Sequence, residues 1–311
     1  MKKIFSIFLM GLISLIVFSG CSKETIDTSK LNIVTSFYPM YIATANIVEG
    51  VQDVELRNLT ATTTGCLHDY QLTTANMITL SSADILIING EGMETFVDKA
   101  VETCENLQII EASKGIIEEH EETAHEHHAE KENDDGHEHH EHGANAHIWV
   151  SISLHIKQVQ NICDELVRIN PENAEAYREN TRNYIKKLEE LKNKMHKKLN
   201  LYENNKIVTF HEAFEFFAEE FGLDIVAVIE REPGTYPSAG EVADIIDLIR
   251  EKDAKAIFVE PQYSRSAADT IARETGIQVY SLDPIVTGEL DKNAYIINME
   301  ENLKTLENAL K

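Results

Sequence analysis

The chain is poor in positive charge. Its 311 residues include 28 Lys and Arg against 53 Asp and Glu, which gives a formal net charge of −25 at pH 7. Nucleic acids and anionic lipid headgroups attract proteins through clustered basic side chains, so this balance argues against both as partners. An acidic surface instead suits a protein that meets cations.

Cysteine is also scarce, and several catalytic signatures are missing. The 4 Cys residues, at positions 21, 66, 104 and 163, show no CxxC spacing. A disulfide scaffold is therefore not expected, although one bridge among Cys66, Cys104 and Cys163 stays open. No nucleotide-binding loop, cofactor fingerprint or Ser/His/Asp motif stands out in the sequence.

Only the start of the chain contains a long apolar run. Residues 4–18 are apolar and follow two lysines, a pattern typical of a secretory signal in residues 1–20. Residues 19–21 (SGC) then match a lipoprotein cleavage site, which would make Cys21 the lipid-bearing first residue and residues 21–30 a tether. The alternative is an uncleaved anchor, but about 15 residues are short for a membrane span of about 20. We expect an extracytoplasmic protein held to the cell membrane by acyl (palmitate-type) chains on Cys21.

Strands and helices are predicted to alternate along the chain. In the first half, strands are predicted within 31–40, at 54–59 and at 84–88, with helices at 41–49, 69–80 and 94–103. In the second half, strands are predicted at 206–210, 224–229, 256–259 and 278–282, with helices at 212–220, 238–251, 266–274 and 293–311. This alternation indicates parallel α/β sheets.

One apolar stripe lies between the two halves. It follows Asn170 and Pro171, which suit a helix N-cap and first turn. Its members are Ala174, Tyr177, Thr181, Tyr184, Leu188, Leu191, Met195 and Leu199. Their spacing predicts a helix of about 29 residues, about 43 Å long, with a coiled coil as the alternative. We predict two similar α/β lobes, at 31–168 and 201–311, joined by one long rigid helix at 169–200.

Eight of the 13 histidines crowd into one acidic run. They are His120, His125, His127, His128, His137, His139, His140 and His142. Residues 118–143 contain nothing that could anchor a core, so we expect a disordered loop inserted in the first lobe. Alternating imidazoles and carboxylates meet divalent cations readily, which points to transition-metal handling. The loop is interpreted as an auxiliary collector, sensor or lid, and the alternative is a solubilising loop.

The specific site is expected among residues outside this run. His211 and Asp283 end predicted strands, where ligands of parallel α/β sheets bind, and His68 and His147 lie in loops. Imidazoles combined with a carboxylate suit zinc. Glu260 also ends a strand but is predicted to support the site rather than bind the metal. The other two histidines are predicted to be structural, namely His155 and, on the exposed side of the long helix, His196.

Three alternatives accompany this interpretation. Cys66, two residues before His68, could supply a thiolate ligand. A zinc hydrolase is the enzymatic alternative, but after His211 the HExxH pattern fails, because position 215 is Glu. An adhesin is the third class, and nothing in the sequence excludes a secondary binding role of that kind.

Several segments of the chain occur in a recognisable order. They are GCLHDYQLT around His68, NAHIWVS around His147, VTFHEAFEFFAEEFGL around His211, EPGTYPSAGEVADIIDLI, AIFVEPQYS and YSLDPI around Asp283. Together they resemble the metal-binding solute-binding lipoproteins of bacterial ABC transporters, and most closely the zinc-uptake branch, over about residues 31–311. The acidic His-rich insertion is a further mark of that branch. One departure is Leu67, where the family often has Pro.

The resemblance implies two lobes joined by a long helix, with the metal in the cleft between them. The first lobe would supply His68 and His147, and the second would supply His211 and Asp283. The manganese branch usually has Glu in place of His211, so the resemblance favours Zn²⁺ over Mn²⁺. It implies a monomeric receptor rather than an enzyme. This receptor would capture Zn²⁺ as transported substrate and deliver it to an ABC permease and its ATPase.

Overall fold

Two four-stranded parallel sheets form the framework of the computed structural model, which describes residues 29–64, 67, 70–118, 120, 145–229 and 237–311. The strands are β1 (Leu31–Thr35), β2 (Val54–Asn58), β3 (Ile85–Ile88), β4 (Gln108–Glu111), β5 (Lys206–Thr209), β6 (Asp224–Val228), β7 (Ala256–Val259) and β8 (Gln278–Ser281). The first sheet has the order β2-β1-β3-β4 and the second β6-β5-β7-β8, with every pairing parallel. The prediction of two similar α/β lobes is confirmed, although β4 was not predicted.

Helices cover both sheets. They are α1 (Tyr38–Ile47), α2 (Thr74–Ser81), α3 (Asp98–Val101), α4 (Ile152–Ile169), α5 (Ala174–Leu199), α6 (Glu215–Phe221), α7 (Ala239–Lys252), α8 (Ser266–Thr275) and α9 (Ala294–Ala309). Short 3₁₀ turns lie at Thr95–Val97, Ile148–Val150, Pro171–Asn173 and Glu212–Phe214. Within the described ranges, no helix combines the length and the apolar character that a membrane span requires. Below, the first lobe means β1–β4 with α1–α4, and the second lobe means β5–β8 with α6–α9.

Capping residues explain where two helices begin. At α7, Ser238 and Glu241 form the reciprocal hydrogen bonds of a capping box, as the sequence predicts. Helix α2 begins later than predicted, because Thr73 caps it and Asn76 completes a second capping box. Asn76 was not recognised as a capping partner, since Glu or Gln is the usual residue at that position.

Helix α4 was missed by the sequence analysis. Ser151 caps it by accepting a hydrogen bond from the backbone amide of Leu154. Two of its core-facing positions carry the polar side chains of His155 and Gln158, both fully buried. The helix still carries an apolar stripe, because Ile152, Ile156, Val159, Ile162 and Leu166 recur at spacings of three and four, so this local signal was present in the sequence.

Helix α5 is the predicted connector. Its buried residues are Tyr177, Thr181, Tyr184, Leu188, Leu191, Met195 and Leu199. The α-helix begins at Ala174, because Pro171–Asn173 form a 3₁₀ turn. Asn170 was predicted to be the N-cap of this helix, but its side chain makes no capping hydrogen bond. It packs against α1 and α4 on one side and against α6 and α9 on the other. The two sheets therefore share one hydrophobic core, in which Ile33 and Ile207 belong to the same cluster.

The polar side chain of His155 is buried within this core. The Nδ1 atom of His155 lies 3.4 Å from Oε1 of Gln158, and its Nε2 atom lies 3.3 Å from the hydroxyl of Tyr184. The imidazole also stacks on Tyr295, with ring centroids 4.2 Å apart. Burial lowers the pKa of His155 to about 4, so the ring is neutral at pH 7. These contacts support the structural role predicted for this histidine.

His196 differs from its prediction. It is half-buried rather than exposed, because its ring packs against Phe221 of α6 with centroids 4.8 Å apart. The lysines that flank His196 in the sequence suggested a solvent-facing position. Helix α6 of the second lobe packs against this part of α5. The residues next to His196 in the sequence do not indicate this contact.

The depressed pKa of His155 predicts a stability contribution that depends on pH. The folded-state pKa lies below the usual value of 6.5, so the contribution is present above pH 6.5 and is lost as the pH falls toward 4. The full difference is on the order of 3 kcal/mol. We expect the His155→Gln variant to lose less free energy of unfolding than the wild type between pH 6.5 and 4.5 in urea titrations. Parallel pH profiles for the two proteins would contradict this assignment.

Candidate metal centre

Each sheet carries polar residues at the point where its strand order reverses. Strand β1 lies between β2 and β3, and β5 lies between β6 and β7, so the carboxyl ends of neighbouring strands flank a crevice. In the second sheet, His211 follows β5 and Glu260 follows β7. In the first sheet, Ser36 follows β1 and Asn89 follows β3.

His211 and Glu260 form a buried pair. The Nδ1 atom of His211 lies 2.9 Å from Oε1 of Glu260, and both side chains are almost fully buried. The other carboxylate oxygen of Glu260 accepts a hydrogen bond from Nε2 of Gln262 at 2.6 Å. A histidine whose Nδ1–H donates to a carboxylate presents Nε2 as its metal-binding atom. The pairing therefore suits Glu260 to orient His211, as the sequence analysis expects.

Glu94 occupies the corresponding crevice of the first sheet. Its carboxylate accepts hydrogen bonds from the Ser36 hydroxyl at 2.7 Å and from the backbone amides of Asn89 and Gly90 at 2.7 and 3.1 Å. Burial raises the pKa of Glu94 to about 7, although these donors oppose the shift. The side-chain amide of Asn89 donates in turn to the carbonyl oxygen of Ala146 at 2.9 Å. This cluster fixes the segment that carries the second predicted ligand.

His147 approaches His211 from that segment. The two buried rings are nearly perpendicular, with centroids 4.8 Å apart. The Nδ1 atom of His147 lies 2.8 Å from Oδ1 of Asn145, and its ring lies 5.3 Å from that of Trp149. The indole of Trp149 donates to the carbonyl oxygen of Pro284 at 2.8 Å. The structure thus brings together two predicted ligands from different lobes.

Asp283 follows β8 in a tightly hydrogen-bonded turn. Its Oδ1 atom accepts from the backbone amide of Ile285 at 2.7 Å, and its own backbone amide and carbonyl both bond to the side chain of Asn302. Burial raises the pKa of Asp283 to about 6 and the charge of Glu260 adds to the shift, while the Ile285 amide opposes it. A cation in the crevice would favour the ionised carboxylate.

His68 lies outside the described residues, as does its alternative Cys66. Among the side chains that are described, no three His, Cys, Asp or Glu groups lie close enough together to hold an ion. The four-ligand set of His68, His147, His211 and Asp283 therefore stays a prediction. The close approach of His147 to His211 is the part of that set that the geometry supports directly.

The acidic His-rich run is described only at its first histidine. The Nε2 atom of His120 lies 2.8 Å from Oε2 of Glu219, and its ring lies 5.6 Å from that of Phe216, both on α6. The remaining predicted residues of the run lie outside the described chain, together with the predicted lipidation site, namely His125, His127, His128, His137, His139, His140, His142 and Cys21. The first residue of the run thus contacts the second lobe.

The segment 283–292 follows the last strand of the second lobe but bonds to the first lobe. The Tyr38 hydroxyl donates to the carbonyl oxygen of Glu289 at 2.6 Å, and the Gly288 amide donates to the carbonyl oxygen of Thr62 at 3.1 Å. A Cβ atom at Gly288 would lie 2.5 Å from the Tyr38 hydroxyl oxygen, which explains the glycine. Burial and nearby acidic residues raise the pKa of Tyr38 to about 12, so the hydroxyl remains a donor.

Several supporting residues were missed by sequence reasoning. Asn145 and Trp149 flank His147 within the segment NAHIWVS, so proximity to a predicted ligand was the available signal. Ile285 follows Asp283 and has a left-handed backbone with φ of 61°. A β-branched residue rarely adopts this conformation, and its sequence gives no sign of it. The strained backbone places the Ile285 amide on the carboxylate of Asp283.

The strain at Ile285 can be measured with a pair of substitutions. Ile285→Ala and Ile285→Gly both remove the buried side chain, but only glycine relieves the left-handed backbone. We expect the Gly variant to be more stable than the Ala variant by about 1 kcal/mol in urea unfolding. Exposed Ile78, inside α2, provides the control, because there Ala should be the more stable by about 1 kcal/mol. Ala more stable than Gly at both positions would argue against strain at Ile285.

Comparisons with known proteins agree with this architecture. Residues 33–309 match the family model described as zinc-uptake complex component A, periplasmic (ZnuA). The chain is 33% identical over 301 residues to the high-affinity zinc uptake system protein ZnuA of Bacillus subtilis, covering 94% of this chain and 92% of that protein. It is 32% identical over 316 residues to the zinc-binding lipoprotein AdcA of Streptococcus pneumoniae, covering 98% of this chain but only 60% of AdcA.

A solved structure has the same fold. The SBP FpvC from Pseudomonas aeruginosa, in complex with Mn²⁺, superposes with a TM-score of 0.75 at 28% identity, covering 90% of this chain and 98% of FpvC. From the family match and the identity to ZnuA, the chain belongs to the ZnuA family of zinc-uptake complex component A proteins.

Proposed function

We propose that this zinc-uptake component captures Zn²⁺ in the crevice between its lobes. The ligands are His68, His147, His211 and Asp283. One observation carries the proposal, namely that the buried rings of His147 and His211 meet from different lobes at a centroid distance of 4.8 Å. Asp283 lies beyond β8, and the negative charge of Glu260, the partner of His211, helps to raise the pKa of its carboxyl group.

The donor set favours zinc over harder ions. Three neutral imidazole nitrogens and one carboxylate match the tetrahedral preference of Zn²⁺, whereas Mn²⁺ prefers oxygen ligands. Four protein ligands also leave no open position at which the metal could activate water. The ion is accordingly the transported substrate, and the protein binds and releases it without catalysing a reaction.

Delivery to a membrane permease and its ATPase completes the proposal. The protein acts as a monomer outside the cytoplasm of a bacterium, held to the cell membrane through a lipid on Cys21. The acidic His-rich run at 118–143 serves as an auxiliary, weaker binding segment. His120 supports that placement, because it contacts α6, which follows the turn after His211. An additional adhesin role stays a prediction from the sequence.

Zinc titrations test the site. We expect the chain from Ser22 onward to bind one Zn²⁺ tightly in calorimetry with a competing chelator, and to keep that site when residues 119–142 are deleted. Weaker sites should vanish with the deletion. His211→Ala should weaken the tight site by more than about 100-fold, beyond the effect of losing a supporting partner.

His196→Ala is the matched control, because this histidine is half-buried on α5 and belongs to no predicted ligand set. It should leave zinc affinity unchanged. Loss of tight binding with the deletion, or wild-type affinity in His211→Ala, would show that the crevice is not the primary site.

A further inference from the structure

Asn145 makes hydrogen bonds on both sides of its side-chain amide. Its Oδ1 atom lies 3.0 Å from the backbone nitrogen of His147 and 2.8 Å from the Nδ1 atom of the same residue. Its Nδ2 atom donates to the carbonyl oxygen of Glu212 at 3.1 Å and to Oε2 of Glu215 at 2.9 Å. One amide therefore contacts a predicted ligand of the first lobe and the segment that follows a predicted ligand of the second.

Chemistry determines which way this amide faces. The backbone nitrogen of His147 can only donate, so the oxygen of Asn145 must face it. The Glu212 carbonyl and the Glu215 carboxylate can only accept, so the NH₂ group must face them. The ring nitrogen beside the Asn145 oxygen must then carry a proton, which makes Nδ1 of His147 the donor and Nε2 the lone-pair atom.

Helix α6 holds the His147 segment on its other flank as well. The carboxylate of Glu220 accepts hydrogen bonds from the hydroxyls of Ser151 and Ser153 at 2.8 and 2.5 Å and from the backbone amide of Ser153 at 3.1 Å. This carboxylate lies at the N-terminus of α4, where backbone amides and the helix dipole favour negative charge. Residues before and after His147 are thus both bound to the short helix that follows His211.

We propose that Asn145 is a positioning residue for zinc binding. Its amide oxygen selects the tautomer of His147 that presents Nε2 to the metal, as Glu260 does for His211. Its amide nitrogen ties that orientation to the segment following His211. This inference rests on the proposed function, because it assigns a role in the same zinc site. This positioning role requires a hydrogen-bond acceptor at the Oδ1 position of residue 145, whereas a purely structural role would not.

Substitutions at Asn145 can test the roles of its amide oxygen and its amide nitrogen separately. Asn145→Ala removes all of its contacts, and Asn145→Leu does the same while keeping nearly the same size. Asn145→Asp keeps the oxygen beside His147 but would place a carboxylate against that of Glu215, so it is combined with Glu215→Gln, whose amide can donate to the new carboxylate. Asn161→Ala is the matched control, because Asn161 likewise donates to two carbonyl oxygens, those of Ala112 and Lys114, without contacting a predicted ligand.

The readouts are zinc affinity, measured with a competing chelator on the full mature chain, and the visible absorption of the Co²⁺-loaded protein. We expect Asn145→Ala and Asn145→Leu to bind Zn²⁺ about 10- to 100-fold more weakly and to change the Co²⁺ spectrum. The Asn145→Asp/Glu215→Gln double variant should stay within a few-fold of the wild type, and Asn161→Ala should match it in both measurements. Melting temperatures of the apo proteins identify any variant that does not fold.

The outcomes distinguish this inference from the proposed function. Wild-type affinity in both Asn145→Ala and Asn145→Leu would overturn the positioning role while leaving the crevice site intact. An Asn145→Asp/Glu215→Gln double variant as weak as Asn145→Ala would overturn tautomer selection, because it keeps both the oxygen acceptor and a donor–acceptor contact with position 215. Failure of the proposed function is recognised separately, by wild-type affinity in His211→Ala.

Discussion

One hydrophobic core, built around the buried stripe of α5, is the constraint on which the rest of the structure depends. The stripe packs against α1 and α4 of the first lobe and against α6 and α9 of the second, so one face of each sheet belongs to this shared core, while the other face has a smaller cluster of its own. Because the two sheets are fixed to the same helix, the crevice between their strand ends has a definite width. The helix thereby helps to set the distance across which His147 and His211 approach each other.

The two sheets have the same strand order, but their buried carboxylates support the predicted ligands in different ways. Each has a buried carboxylate beyond a central strand, in keeping with the tendency of parallel sheets to place polar groups there. Glu260 bonds directly to His211, whereas Glu94 bonds to the backbone after β3 and reaches His147 only through Asn89 and Ala146. In this repeated architecture, one carboxylate therefore contacts the ring of the predicted ligand His211, and the other acts on the backbone near the predicted ligand His147.

Periodicity and capping residues were enough to predict much of the fold. The stripe of α5 and the capping box of α7 are local signals, and both are confirmed. Helix α4 carries the same kind of local signal, because Ile152, Ile156, Val159, Ile162 and Leu166 recur at helical spacing, although it was not predicted. The burial of His155 and Gln158 in that helix could not be predicted locally, because their partners come from other segments.

The surroundings of the site could be predicted less well than its candidate ligands. Strand ends and motifs pointed to His147, His211 and Asp283, and these signals lie close to each residue in the sequence. The bond from Asn145 to Glu215 joins residues 70 positions apart, so no local pattern reveals it. The sequence also gives no sign of the left-handed backbone of Ile285, because glycine is the residue that normally indicates such a conformation.

The shared core has a consequence for the kinetics of ion exchange. Separating the lobes as rigid bodies would expose the apolar surface along α5 to water, at a cost of about 25 cal/mol for each Å². Movements confined to the short segments that carry predicted ligands, residues 145–149 and 283–292, would leave that surface buried. In the proposed site, ligands on such segments would detach one after another, and exchange would pass through partly coordinated intermediates. The rate of release would then depend on local hydrogen bonds, such as those of Trp149 and Tyr38 to the second of these segments.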